Sequence, residues 1–170
     1  ARKIFTTDYF SVFESDDELG VELGGAVKNV IAIASGIAEG LGFGSNTRAA
    51  LFARGVAEMA RLGQAMGAKR ETFMGLSGLG DLATTCLSPL SRNRWLGEEV
   101  GKGKDLKNIL KGTEMVVEGV ATSKSAWELA KKYKVSMPIT EAVYAILFEG
   151  ESPREAVGAL MKRHSHWELD

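Results

Sequence analysis

A long apolar repeat near the start of the chain is the feature that most limits its fold. It follows the acidic run Asp16-Asp17-Glu18, and a helix N-terminus favours negative charge. It stops at the glycine-punctuated segment 40–44. Within it, apolar side chains recur at intervals of three and four residues: Leu19, Leu23, Val27, Val30, Ile33, Ala34 and Ile37. The pattern predicts a helix from Ser15 or Asp16 to Gly40. Because no later segment alternates convincingly between polar and apolar residues, the chain is predicted to be mainly α.

Turn and cap residues place the next elements. Ser45 is predicted to cap a second helix, which Gly67 closes. A short helical piece at Glu71–Met74 leads into a second glycine-rich loop, Gly75–Asp81. The earlier segment 40–44 also carries alternating glycines, but it follows a helix rather than a strand, so it is interpreted as a turn and not as a nucleotide loop.

Two serine–proline pairs predict further helix starts. Ser88-Pro89 and Ser152-Pro153 each offer a cap serine with proline at the first helical position. Glu155 is placed to complete a capping box at the second of them. Helical patterns at 122–133 and 140–149 lie between, so the domain is predicted to contain about half a dozen helices.

The opening segment differs from the rest. Tyr9–Glu14 is aromatic and β-branched between polar flanks, which predicts one short strand. A lone strand is not stable by itself. We therefore expect Phe10–Glu14 to be poorly ordered or to pair with another chain, and not to join a sheet formed by this chain.

Composition excludes several classes of protein. The 170 residues are 45% hydrophobic and 25% charged, which is average for a globular domain. A net charge of −1 gives no strong attraction to nucleic acid or to an anionic membrane, so neither partner is expected. The single cysteine, Cys86, suits a reducing compartment and predicts a cytoplasmic protein. We find no apolar run near the roughly 20 residues of a membrane span, so no membrane insertion is expected.

Lys28 is the one long charged side chain on a small-sided face of the first helix. At about 100° per residue that face also carries Val21, Gly24, Gly25, Ala32, Ser35 and Gly36. One interpretation is tight helix packing, with Lys28 extending to solvent. The other is a lysine held in a cleft, where it can exchange a proton near neutral pH.

Two later segments could bind a ligand. The glycines of 75–81 allow close approach of the backbone, and Asp81 follows directly. In Ser91-Arg92-Asn93-Arg94 the guanidinium, the neutral donors and a helix N-terminus suit a phosphate; the alternative is an N-cap serine with exposed arginines. His164 and His166 have no further ligands beside them, so no metal site is predicted.

Several motifs together carry a family resemblance. In chain order they are 24–30 (GGAVKNV), 40–47 (GLGFGSNT), 78–82 (GLGDL), 90–94 (LSRNR), 116–119 (VVEG) and 137–144 (MPITEAVY). From about residue 9 to about residue 163 the chain closely resembles the C-terminal domain of bacterial NAD(P)-dependent glycerol-3-phosphate dehydrogenases. The resemblance implies a multi-helix fold of the 6-phosphogluconate dehydrogenase C-terminal-like type.

The resemblance also implies an activity and a set of site residues. The family interconverts dihydroxyacetone phosphate and sn-glycerol 3-phosphate with NAD or NADP, supplying the glycerol phosphate of membrane lipids, and a homodimer is expected. Lys28 would exchange the proton at the substrate's C2 oxygen. The remaining roles implied are substrate binding by Lys28, Asn29, Asp81, Ser91, Arg92 and Asn93, and cofactor contact by Arg92, Val116 and Glu118.

One departure from the family is large. Its members carry an N-terminal Rossmann domain with a glycine fingerprint, and this sequence has none. Residues 1–15 are therefore expected to be the end of an absent dinucleotide-binding domain, and residues 16–170 the α-helical substrate-binding domain. Two alternatives stay open: a related hydroxy-acid dehydrogenase domain, and a non-catalytic helical binding or oligomerisation module.

Overall fold

Helices form every regular element in residues 2–163, which are the residues that the computed structural model describes. The elements are α1 (Arg2–Phe5), α2 (Glu18–Gly40), α3 (Ser45–Met66), α4 (Arg70–Met74), a π-helical turn (Leu76–Gly80), α5 (Asp81–Leu87), α6 (Arg92–Gly101), α7 (Leu106–Lys111), α8 (Glu118–Tyr133), α9 (Pro138–Tyr144), a second π-helical turn (Ala145–Glu149) and α10 (Pro153–Lys162). The predicted mainly-α class is confirmed.

Helix α2 is the centre of the domain. Val30 and Ile33 are fully buried on it, and α3, α5, α6 and α8 pack around it. Its N-terminus is capped by Asp17, whose Oδ1 accepts a hydrogen bond from the Gly20 N–H at 3.0 Å. Thr72 on α4 donates to the same carboxylate at 2.5 Å, which lowers the pKa of Asp17. The cap therefore also ties α4 to the core helix.

Four glycines bring α2 and α6 into backbone contact. Gly36 and Gly40 lie one turn apart on α2, and Gly97 and Gly101 repeat that spacing on α6. A Cβ added at Gly97 would overlap the Ile33 carbonyl oxygen. Those added at the other three positions would also meet backbone atoms of the opposite helix. This glycine face of α2 therefore packs against α6 of the same chain. It is not free to form the subunit interface that the oligomerisation alternative requires.

The length of α2 corrects one expectation. Among residues 2–163 it is the helix long and apolar enough, by length and composition alone, to cross a membrane. The sequence argument that no apolar run approaches that length was therefore wrong. In this fold 72% of that apolar window is buried by the other helices, and a core helix meets the same criteria.

The strand predicted at Tyr9–Glu14 is not formed. Residues 11–15 have no regular structure, and the nearest pairing is an isolated bridge between Thr7 and Phe10. Because no second strand occurs in residues 2–163, this segment has no partner with which to form a hydrogen-bonded β-ladder.

Three local predictions need correction. Gly44 rather than Ser45 lies at the N-cap of α3, whereas the closing Gly67 is confirmed with φ of 100°. Ser88 ends α5, and Pro89 lies in a turn, so that pair starts no helix. Residues 76–80 form a π-helical turn rather than an open loop. At α10 the cap position of Ser152 is confirmed, but no side-chain cap bond accompanies it.

Candidate functional site

Lys28 and Asp81 form an ion pair at the surface of the core helix. Lys28 lies in the middle of α2, and its Nζ donates a hydrogen bond to Oδ2 of Asp81, the first residue of α5. The lysine side chain is 18% exposed and the aspartate side chain 37%. Lys28 is therefore held against a partner 53 residues away and does not extend freely into solvent.

The small residues of α2 explain how the pair is assembled. A Cβ at Gly24 would overlap the Ser77 carbonyl oxygen, so glycine lets the π-helical turn lie directly on α2. That contact delivers Asp81 to Lys28. Thr85, one turn along α5, donates to the Asp81 carbonyl oxygen at 2.7 Å. At Gly25, by contrast, an added Cβ would have no atom within 4 Å, which leaves open space one turn from Lys28.

A chain of buried amides joins Asn93 to Asn29, the residue that follows Lys28. Asn93 Nδ2 donates to Asn29 Oδ1 at 2.9 Å, and Asn93 Oδ1 accepts from the Gly119 N–H at 2.9 Å. Asn29 and Asn93 are both buried. The chain links α2, α6 and the start of α8, and it brings the neighbours in sequence, Arg92 and Glu118, to the same end of the fold.

The rim of the site is charged and exposed. The Arg92 Nη2 lies 4.0 Å from Glu118 Oε1, with the two side chains 48% and 66% exposed. Exposed ion pairs of this kind contribute little net stability, about 0–1 kcal/mol, so the guanidinium can turn to another anion at low cost. Val116 is also exposed beside this rim.

In the segment 91–94, Ser91 and Arg94 have structural roles, and Arg92 is exposed. The Ser91 Oγ caps α6 by accepting from the Arg94 N–H at 3.3 Å, which is the capping alternative considered from sequence. Arg94 is not an exposed arginine: its Nη1 lies 2.5 Å from Glu39 Oε2 and 3.3 Å from Glu98 Oε2. Of the two arginines, Arg92 is the one that reaches solvent.

Two features of the site were missed from sequence. No role was predicted for Thr85, although a threonine four residues after an acidic helix start is placed to bond its carbonyl oxygen. Glu39 lies 55 residues from Arg94, so no local pattern indicated that pair. Within residues 2–163 no group of three metal-ligating side chains occurs. His164 and His166 lie outside the described residues.

Comparison with known proteins gives the family. The sequence profile described as "NAD-dependent glycerol-3-phosphate dehydrogenase C-terminus" matches residues 17–158. The chain belongs to that family. A glycerol-3-phosphate dehydrogenase (NAD(P)+) of Syntrophotalea carbinolica is 57% identical over 169 residues, which are 99% of this chain and 51% of the relative. One of Citrifermentans bemidjiense is 59% identical over 96% of this chain and 49% of the relative.

Solved structures agree with the sequence comparison. The crystal structure of glycerol-3-phosphate dehydrogenase from Coxiella burnetii superposes with a TM-score of 0.91 at 44% identity, over 95% of this chain and 50% of that one. The chain thus spans about half the length of the relatives that it matches.

Proposed function

We propose that this chain is the substrate-binding and catalytic half of a glycerol-3-phosphate dehydrogenase, which interconverts dihydroxyacetone phosphate and sn-glycerol 3-phosphate with NAD or NADP. The observation that carries the proposal is the Lys28–Asp81 pair beside the open space at Gly25. The names of the relatives favour this substrate over that of another hydroxy-acid dehydrogenase.

The proposed chemistry at Lys28 is proton exchange at the substrate's C2 oxygen. A bound reduced nicotinamide would supply the hydride to C2. The carbonyl oxygen then gains negative charge, and a cationic Nζ can both stabilise that charge and donate its proton. The lysine recovers the proton from solvent, and its hydrogen bond to Asp81 holds Nζ in place. In the opposite direction Lys28 accepts the hydroxyl proton.

The other residues are proposed to hold the substrate and one edge of the cofactor. The exposed Arg92 guanidinium is suited to a phosphate, with Ser91 at the same helix N-terminus. Asn29 and Asn93 bind or orient the substrate, but both amides already bond within the protein. No strand–glycine-loop–helix unit occurs in residues 2–163. Within these residues, the proposed contacts to a dinucleotide are those of Arg92, Val116 and Glu118 at the rim of the site.

The remaining expectations belong to the same proposal. Residues 1–15 are proposed to complete a dinucleotide-binding domain. Five large apolar side chains in this segment are at least 60% exposed: Ile4, Phe5, Tyr9, Phe10 and Phe13. Their exposure fits a surface that another domain covers. A phosphorylated small-molecule substrate, a homodimer and a cytoplasmic location complete the proposal.

The experiment joins this chain to the dinucleotide-binding half of the Syntrophotalea carbinolica relative. The fusion should oxidise NADH or NADPH when dihydroxyacetone phosphate is added. Lys28→Met should lower its turnover by about 100- to 10,000-fold, because general acid–base help is lost. Lys124→Met, at an exposed lysine on α8, is the matched control and should leave turnover unchanged. Near-normal turnover in a folded Lys28→Met fusion would remove Lys28 from the mechanism.

A further inference from the structure

A concave site lies away from Lys28. It is a partly open cavity of about 300 Å³, lined by α3, by residues 136–139 and by α10. Leu51, Val157, Leu160 and Met161 make much of its wall apolar. The cavity shares no residue with the Lys28–Asp81 site, so the proposed dehydrogenase chemistry does not account for it.

Among the described residues, the lining of this cavity carries more arginine than acid. Arg54, Arg61 and Arg163 all contribute to its lining. Arg61 Nε donates to the Ser136 carbonyl oxygen at 3.2 Å, and Arg163 lies 3.7 Å from Glu141. For the half-buried Arg54, residues 2–163 provide neither an ion pair nor a hydrogen bond.

The acidic side chain among the described lining residues is already engaged by the backbone of α9. Glu58 is 1% exposed, and its carboxylate accepts hydrogen bonds from the Ile139 and Thr140 N–H groups at 2.6 and 3.2 Å. Thr140 Oγ1 adds a third at 3.2 Å. The carboxylate therefore caps α9 and leaves Arg54 without a counter-charge in the part of the chain that is described.

We propose that this cavity binds a small amphiphilic anion, with its charged head on Arg54 and its apolar body against Leu160 and Met161. An apolar wall with few polar groups is typical of small-molecule sites, and the volume is at the lower end of their range of roughly 300–1,000 Å³. Arg54, which has no counter-charge in the described residues, selects a negative head group. A free medium-chain carboxylate has this chemistry.

Calorimetric titration of the 170-residue chain with decanoate, below its micelle concentration, tests the proposal. Decanoate should bind saturably with one site per chain, and decyltrimethylammonium should not. Arg54→Gln should weaken decanoate binding by about tenfold or more, the effect of losing one charged hydrogen bond. Arg48→Gln, an arginine on α3 outside the cavity, should leave the affinity unchanged.

A second pair of variants tests the location. Ala50 is exposed and lines the cavity, so Ala50→Phe should block decanoate, whereas Ala49→Phe at its exposed neighbour should not. The proposal is overturned by an absence of saturable binding, by equal binding of both charge types, or by normal affinity in Arg54→Gln. If the chain sediments with phosphatidylglycerol vesicles but does not bind free decanoate, the proposal is also overturned, and the cavity belongs to a membrane-binding surface instead.

Discussion

At the scale of single residues, burial decides what a charged side chain does. Lys28 and Glu58 both lie on core-facing helices, but Lys28 keeps solvent on one side and pairs with Asp81. Glu58 is enclosed, and burial raises its pKa to about 7 despite the hydrogen bonds it accepts from α9. The first is the side chain proposed to exchange a proton, and the second holds α9 in place.

Glu58 predicts a pH dependence of stability. Its pKa is raised on folding from 4.5 to about 7, so its contribution is fully present below pH 4.5 and is lost as pH rises to about 7. Each pH unit between these values removes about 1.4 kcal/mol from the free energy of unfolding. Glu58→Gln lacks this titration, so wild type should lose stability relative to the variant from pH 4.5 to pH 7. Urea unfolding across this range measures the difference, and a constant difference would contradict the prediction.

At the scale of elements, close approach of backbones organises the fold. Helix α6 lies on α2 because four glycines on the two helices let their backbones touch. The π-helical turn at 76–80 approaches α2 in the same way through Gly24. The second contact brings Asp81 to Lys28, and the first places Asn93 of α6 within hydrogen-bond distance of Asn29. The polar groups of the site therefore depend on close backbone contacts of α2.

A pair of glycine substitutions separates packing from helix propensity. Gly97→Ala places a methyl group against the Ile33 carbonyl and should destabilise the chain by about 2 kcal/mol or more. Gly158→Ala is also within a helix, but no atom lies within 4 Å of the added Cβ, so it should stabilise by about 0.5–1 kcal/mol. Thermal and urea denaturation measure both changes. An equal gain in the two variants would show that the α2–α6 contact is looser than described.

At the scale of the whole molecule, the proposed site draws on three helices. Lys28, Asp81 and Arg92 lie on α2, α5 and α6, and none of them lines the cavity of about 300 Å³. The chain covers about half of its relatives, and residues 2–163 contain no dinucleotide-binding unit. Hydride transfer needs both reactants positioned, which is worth roughly 7–11 kcal/mol of the barrier.

The chain alone should therefore show no measurable turnover with dihydroxyacetone phosphate and NADH or NADPH. Absorbance at the nicotinamide band measures this, and the fusion described above is the positive control. Circular dichroism on the same sample shows whether the chain is folded. Turnover comparable to that of the fusion would contradict the fragment interpretation.

The sequence alone determined the helical class, the approximate span of α2, the C-terminal end of α3 at Gly67 and the start of α10 at Ser152. Apolar period, glycine and proline act within a few residues, so these features are local. The sequence also placed Lys28 on a small-sided face and Asp81 after a glycine-rich segment. Only the tertiary structure decided that these two meet, that Asn93 bonds Asn29, and that Glu58 caps α9. Those contacts join residues 53, 64 and 81 positions apart. A local sequence pattern shows that a helix face is small, but it does not specify which distant segment packs against that face. The prediction of a strand at Tyr9–Glu14 was wrong for the same reason. A strand needs a partner strand, and the described residues of this chain do not provide one.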